Sequence, residues 1–78
     1  NFMVLPLNQI EAGEKAQVAF LAGDDSISLR LYDLGFVPGE TVTCVLKGKK
    51  GSMSAYLVRC AVIALRDKNA VEILVSQK

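Results

Sequence analysis

Only one stretch of this chain repeats with a helical period; almost everywhere else apolar and polar residues alternate, in short runs cut by glycine or proline. Alternation places successive side chains on opposite faces of a strand, so the pattern predicts a mostly β domain. Along "EKAQVAFLAGDD", Ala16, Val18 and Phe20 fall on one face and Gln17 and Ala19 on the other, between turns at Gly13 and Gly23. Along "TVTCVLK", Val42, Cys44 and Leu46 oppose Thr41, Thr43 and Val45. "MSAYLVRCAVIAL" is long and β-prone, and reads as two strands near Met53–Val58 and Cys60–Leu65. "GKKGS" before it reads as a hairpin loop, and "VEILV" as the last strand.

The exception is residues 26–34. Ile27, Leu31 and Leu34 are spaced i, i+4, i+7, one face of a short helix at ~100° per residue. Asp24 or Asp25 can cap its free N–H groups. Gly35 stands where a left-handed C′ residue belongs, with Phe36 following at C″. Pro38 and Gly39 occupy the central positions of a type II turn. Asp67 can cap a single helical turn over 67–70. About five strands, one short helix and tight turns in 78 residues predict a small SH3-like β-barrel, with an OB-like barrel as the second choice. The whole chain, 1–78, reads as one domain. Asn1 and Phe2 precede a methionine, and Met3 is the expected native start.

Composition narrows the function classes. Apolar residues make up 51% of the chain and Trp is absent, so a core must be built from Val, Leu, Ile and Ala. Nine basic side chains against eight acidic give a net charge of +1. Nucleic-acid binders carry a clear basic excess, because phosphate contacts dominate their affinity; no nucleic-acid partner is expected. No run approaches the ~20 apolar residues of a membrane span, and "NFMVLPLNQI" lacks the basic start of a signal peptide. A cytoplasmic protein without direct membrane insertion is the expectation. Cys44 and Cys60 lack a CxxC pattern, and the chain has no histidine, which argues against a structural zinc site. The two thiols could pair, but cysteines on apolar strand patterns favour the reduced, buried state.

Catalysis has little to work with. There is no His to act as base, no GxSxG, no Cys/His pair and no phosphate-cradling glycine loop. The acids sit mostly at turns and caps; Asp24-Asp25 reads as helix capping rather than a carboxylate pair for a hard metal. "KGKKG" reads as a solvated hairpin tip, since a few lysines give little phosphate affinity at physiological salt. No cofactor, no metal and no catalytic residue is expected. The helix says more. With Ile27, Leu31 and Leu34 toward the core, Leu29 lies roughly 170° away, flanked by Arg30 and Asp33 with Tyr32 on the other shoulder. An outward Leu among Arg, Asp and Tyr has the make-up of a small protein-binding patch.

"LRLYDLGFVPGETVTCV" resembles the signature of the FeoA family, small cytosolic companions of the ferrous-iron permease FeoB: Arg and Leu on a helix, Leu-Gly, Pro-Gly and an alternating strand. "VRCAVIALRDKNAVEILV" is similar to the family's closing pattern, a strand ending Ala-Leu-Arg followed by a short turn and Ile-x-Val. The similarity runs from about Leu5 to Val75. Cys60, Ala61 and Val62 depart from it, standing where the family commonly has Gly, an aromatic and a polar or basic residue. Ser52-Met53 replaces a frequent Asp-Pro. The resemblance implies an SH3-like barrel and a non-enzymatic accessory role in iron uptake, through the cytosolic GTPase domain of an FeoB-type permease. It does not imply iron binding by this domain, and it leaves self-association open. The runner-up is the C-terminal SH3-like domain of an iron-dependent repressor of the diphtheria-toxin-repressor type. A third class, an RNA-binding SH3-like barrel, calls for more Lys and Arg than are present.

Overall fold

A computed structural model describes residues 3–77; Asn1 and Phe2 lie outside them. In chain order it contains β1 (Met3–Pro6), a 3-10 turn (Leu7–Gln9), β2 (Lys15–Leu21), α1 (Asp25–Leu34), β3 (Thr41–Leu46), β4 (Met53–Val58), β5 (Ala61–Arg66), α2 (Asp67–Ala70) and β6 (Ile73–Gln77). The strands form one antiparallel sheet in the order β1-β6-β2-β3-β4-β5. The mostly β architecture, the helix and the single turn at 67–70 are as the sequence predicts. Two features differ. There are six strands, because "MVLP" pairs with β6 although its sequence does not alternate. Among the described residues no pairing joins β1 to β5, so the sheet has two edges and does not close into the expected barrel.

One face of the sheet carries the core. Ala16 and Val18 of β2, Val42 and Cys44 of β3, Tyr56 and Val58 of β4, Leu65 of β5, and Ile73 and Val75 of β6 are all buried. Leu7 and Ile10, Leu31, Phe36 and Ala70 cover that face from the 3-10 turn, α1, its exit and α2. The apolar faces read from β2 and β3 hold for two residues each and then fail. Phe20 and Leu46, expected inside, are exposed. The cause is the same in both strands. The register shifts between Val18 and Phe20 against β6, and between Cys44 and Leu46 against β4. One extra residue in a strand of period two turns the residues beyond it to the other face.

The 3-10 turn is held by a residue that composition alone would send to solvent. Lys47, just past β3, points its Nζ inward and donates to the Asn8 carbonyl and, at 2.8 Å, to that of Ile10. Those carbonyls would otherwise lack partners at a helical end. The "KGKKG" cluster is therefore split, with Lys47 half-buried and Lys49 and Lys50 exposed. Between them, a Cβ on Gly48 would stand 1.9 Å from the Met53 carbonyl oxygen. Only glycine lets the two backbones approach this closely, and the Gly48 N–H donates to Ser54 Oγ at 2.9 Å.

Candidate functional site

Helix α1 is fixed at both ends by its own sequence. Asp24 is the N-cap: its Oδ1 accepts from the Ile27 N–H at 3.1 Å and from the Ser26 hydroxyl at 2.9 Å. The Ile27 N–H, and after it the Ser26 hydroxyl, hold the Asp24 carboxyl below its ordinary range. Asp25 is in the first turn, where a carboxylate favours the helix dipole. At the other end Gly35 has φ +112°. Its N–H donates to the Tyr32 carbonyl at 2.9 Å, and that of Phe36 to Leu31 at 3.0 Å. This is a Schellman ending, with Phe36 at C″ fully buried. Three residues later the Glu40 N–H donates to the Val37 carbonyl at 3.0 Å, closing the Pro38–Gly39 turn.

The tip of the β4–β5 hairpin rests on this corner. Arg59 and Cys60 form a two-residue connection with φ +50° and +66°, the double left-handed geometry of a type I′ turn. Arg59 Nε donates to Glu40 Oε1 at 3.0 Å, and this is the one ion pair among the described residues. Its stem crosses Gly35 so closely that a Cβ there would lie 3.2 Å from Arg59 Cδ. Gly35 thus serves twice, for its positive φ and for the close approach.

The sequence expects both cysteines to be buried. Cys44 is, and desolvation pushes its thiol up. Cys60 is exposed, because it sits at the turn and not on β5, which begins at Ala61. It also occupies the place where the family commonly has glycine, at a positive φ that favours glycine.

The corner, cap and hairpin together hold α1 with one side open. Leu29 is 63% exposed. Arg30, Tyr32 and Asp33 are exposed with it, and neither Arg30 nor Asp33 joins an ion pair among the described residues. On the inner side Leu31 is buried and Ile27 packs against the core. Leu34, expected to be core, is 42% exposed. It stands over a cleft of about 70 Å³ lined by Ile27, Arg30, Leu31, Leu34, Leu65 and Asn69. Helical phase places Leu34 correctly, yet the opposing strand is the last in the sheet, so nothing covers it. The cleft was not legible in the sequence, since Leu65 and Asn69 meet α1 only through the fold.

No group of three or more His, Cys, Asp or Glu side chains converges to hold a metal ion among the described residues. No helix of the described residues is long and apolar enough to cross a membrane. An open depression on β2, β3 and β6, bounded by Glu14, Lys15, Gln17, Thr41 and Ser76, is mostly polar, and Glu14 and Lys15 form no ion pair there among the described residues. What the geometry offers is surface.

The fold and surface define a small, mostly β, SH3-like domain with an outward helix face. The FeoA domain profile matches residues 5–77, and the chain belongs to the FeoA family. Among solved structures, FeoA of Stenotrophomonas maltophilia in complex with zinc is 30% identical, with a TM-score of 0.79 over 97% of this chain and 96% of that one. That protein is called a prokaryotic SH3 domain protein and a candidate activating factor of ferrous iron transport. An FeoA-like protein from Clostridium acetobutylicum is 26% identical, with a TM-score of 0.81 over 92% and 84% of the two chains. A manganese-dependent transcriptional repressor is 16% identical, with a TM-score of 0.86 over 96% of this chain and 42% of its own; that likeness is one of fold. No curated protein matches the chain.

Proposed function

We propose that the domain is a non-enzymatic accessory of ferrous iron uptake that docks on the cytosolic GTPase domain of an FeoB-type permease. The docking surface is the outward face of α1, formed by Leu29, Arg30, Tyr32 and Asp33. The observation that supports this reading is the exposure of Leu29, 63%, on a helix whose two ends are firmly capped. A helix this well anchored presents its outer residues in fixed positions, which lowers the ordering cost of binding. Leu29 supplies apolar area for a partner's pocket, and Arg30 and Asp33, in no ion pair among the described residues, supply direction. The FeoA relatives support the iron-uptake setting. Their fold likeness to the repressor carries no regulatory role to this chain.

The test is capture of the permease's cytosolic domain by this protein, with and without guanine nucleotide. Retention in either nucleotide state supports the reading. Absence of retention in both removes it.

A further inference from the structure

The two edges of the sheet are built differently. β1 is four residues long and ends in Pro6, which has no N–H to offer. Short length and proline both blunt an edge against further pairing. β5 has neither device. It runs six residues, Ala61–Arg66, pairs with β4 residue for residue without a bulge, and is uncharged until its last position. On its far side no strand pairs with it among the described residues.

The hairpin fixes which backbone groups are free. It is a two-residue hairpin closed by Val58 and Ala61. In such a hairpin the closing residues bond to each other, and every second residue outward does the same. Ala61, Ile63 and Leu65 therefore face β4. Val62 and Ala64 turn their N–H and C=O groups away from the sheet. Their side chains lie on the outer face, where Val62 is 64% exposed. On the inner face, beside Leu65, the α1 cleft opens at the same edge, with Ile27 and Leu34 as walls and Arg30 among its lining.

We propose that the β5 edge is a strand-docking site for an extended, acidic, alternating segment of a partner protein. Such a segment would add a seventh strand along Val62 and Ala64. Its inward side chains would enter the cleft between Leu34 and Leu65, and its outward ones would lie beside Val62. Main-chain bonds supply affinity in this mode, and alternate side chains supply specificity. The charge follows from the edge's surroundings. Arg30, Arg66 and Lys68 are exposed near it, and none is in an ion pair among the described residues. A second copy fits less well. The β5 strand of a second copy, Ala61–Arg66, offers no acid to these cations, and its edge carries the same ones, so like charges oppose pairing.

Arg30 borders both surfaces, but this site rests on β5 and does not include Leu29, so changes at Leu29 and on β5 test the two separately. The test uses the whole chain, amide NMR and two blocked heptapeptides, Asp-Val-Thr-Leu-Thr-Val-Asp and its counterpart with lysine at both ends. The expected result is saturable shifts at the Val62, Ala64 and Arg66 amides, with at least threefold tighter binding of the acidic peptide. Val62→Glu, at an exposed position, should weaken acidic-peptide binding at least threefold. Ala64→Pro, which removes an N–H that β4 does not use, should do the same; if that variant does not fold, Val62→Glu decides alone. Leu29→Glu should leave peptide binding unchanged. Equal binding of the two peptides, shifts confined to other strands, or undiminished binding by Val62→Glu would overturn the proposal. So would a dimer of the free protein, by sedimentation, that Val62→Glu abolishes, since the occupant would then be a second copy.

Discussion

Gly35 packs against Arg59, the neighbour of Cys60 in the β4–β5 turn, and both Gly35 and Cys60 are decided by backbone geometry. Gly35 sits at φ +112° with Arg59 Cδ 3.2 Å from where its Cβ would be. A side chain in the left-handed region costs about 1–2 kcal/mol, so Gly35→Ala should destabilise the domain by about 1 kcal/mol or more, read by thermal or denaturant unfolding. Cys60 carries the opposite mismatch, a side chain at φ +66°. Cys60→Gly should stabilise the domain by about 0.5–1 kcal/mol, because relief of strain outweighs the added freedom of the unfolded chain. That corresponds to a rise in Tm of a few degrees for a domain of this size. In the native protein a bulky thiol reagent should label Cys60 quickly and reach Cys44 only on unfolding. Equal fast labelling of both would contradict the packing of β3. The sequence distinguishes these residues only partly. Gly35 is legible from the end of helical spacing, whereas the exposure of Cys60 depends on a turn one residue off the expected strand boundary.

At the scale of elements, α1 was legible in its period and caps. Asp24, Gly35 and Phe36 fill the roles that their types and spacing predict. The strands were legible until their bulges. Nothing in "VAFL" or "CVLK" marks the extra residue that turns Phe20 and Leu46 outward, because a bulge is set by the partner strand's register. The cap gives a pH dependence with a definite sign. The Asp24 carboxyl is lowered in the folded state. Its contribution is therefore present above the ordinary carboxylate range and is lost as pH falls through the lowered value. The stability difference between the protein and Asp24→Asn should be constant near neutrality and shrink as pH falls below the ordinary carboxylate range. The effect should be small, since the group is fully solvated and water screens its interactions. A difference that grows with acid would contradict the capping geometry.

For the whole molecule, the sequence limits the class well and the surface poorly. Short strands and a short helix followed from alternation and spacing; the core is mainly aliphatic as composition suggests, but its two largest fully buried side chains are Tyr56 and Phe36. The open sheet did not follow, because β1 has no alternating pattern and closure is a relation between the two edge strands, β1 and β5, which are far apart in sequence. The candidate site divides the same way. Leu29 is placed outward by helical phase alone, since the helix has one core face and Leu29 is opposite it. The cleft below Leu34 comes from the last strand of the sheet, and the inward turn of Lys47 from a loop that reads as a solvated tip. A chain of 78 residues buries a small core with little stability to spare, so a surface for a partner must be one that the core can do without.

Leu29→Glu tests that separation most directly. The side chain is outside the core, so unfolding should change by no more than about 0.5 kcal/mol. A Leu desolvated in a partner's pocket is worth roughly 1.5–3 kcal/mol, so affinity for the cytosolic domain of an FeoB-type permease should fall at least about tenfold. Calorimetric titration of both proteins, with their unfolding curves alongside, gives both quantities at once. A folded Leu29→Glu protein that binds the permease domain as tightly as the unchanged chain would contradict docking through α1.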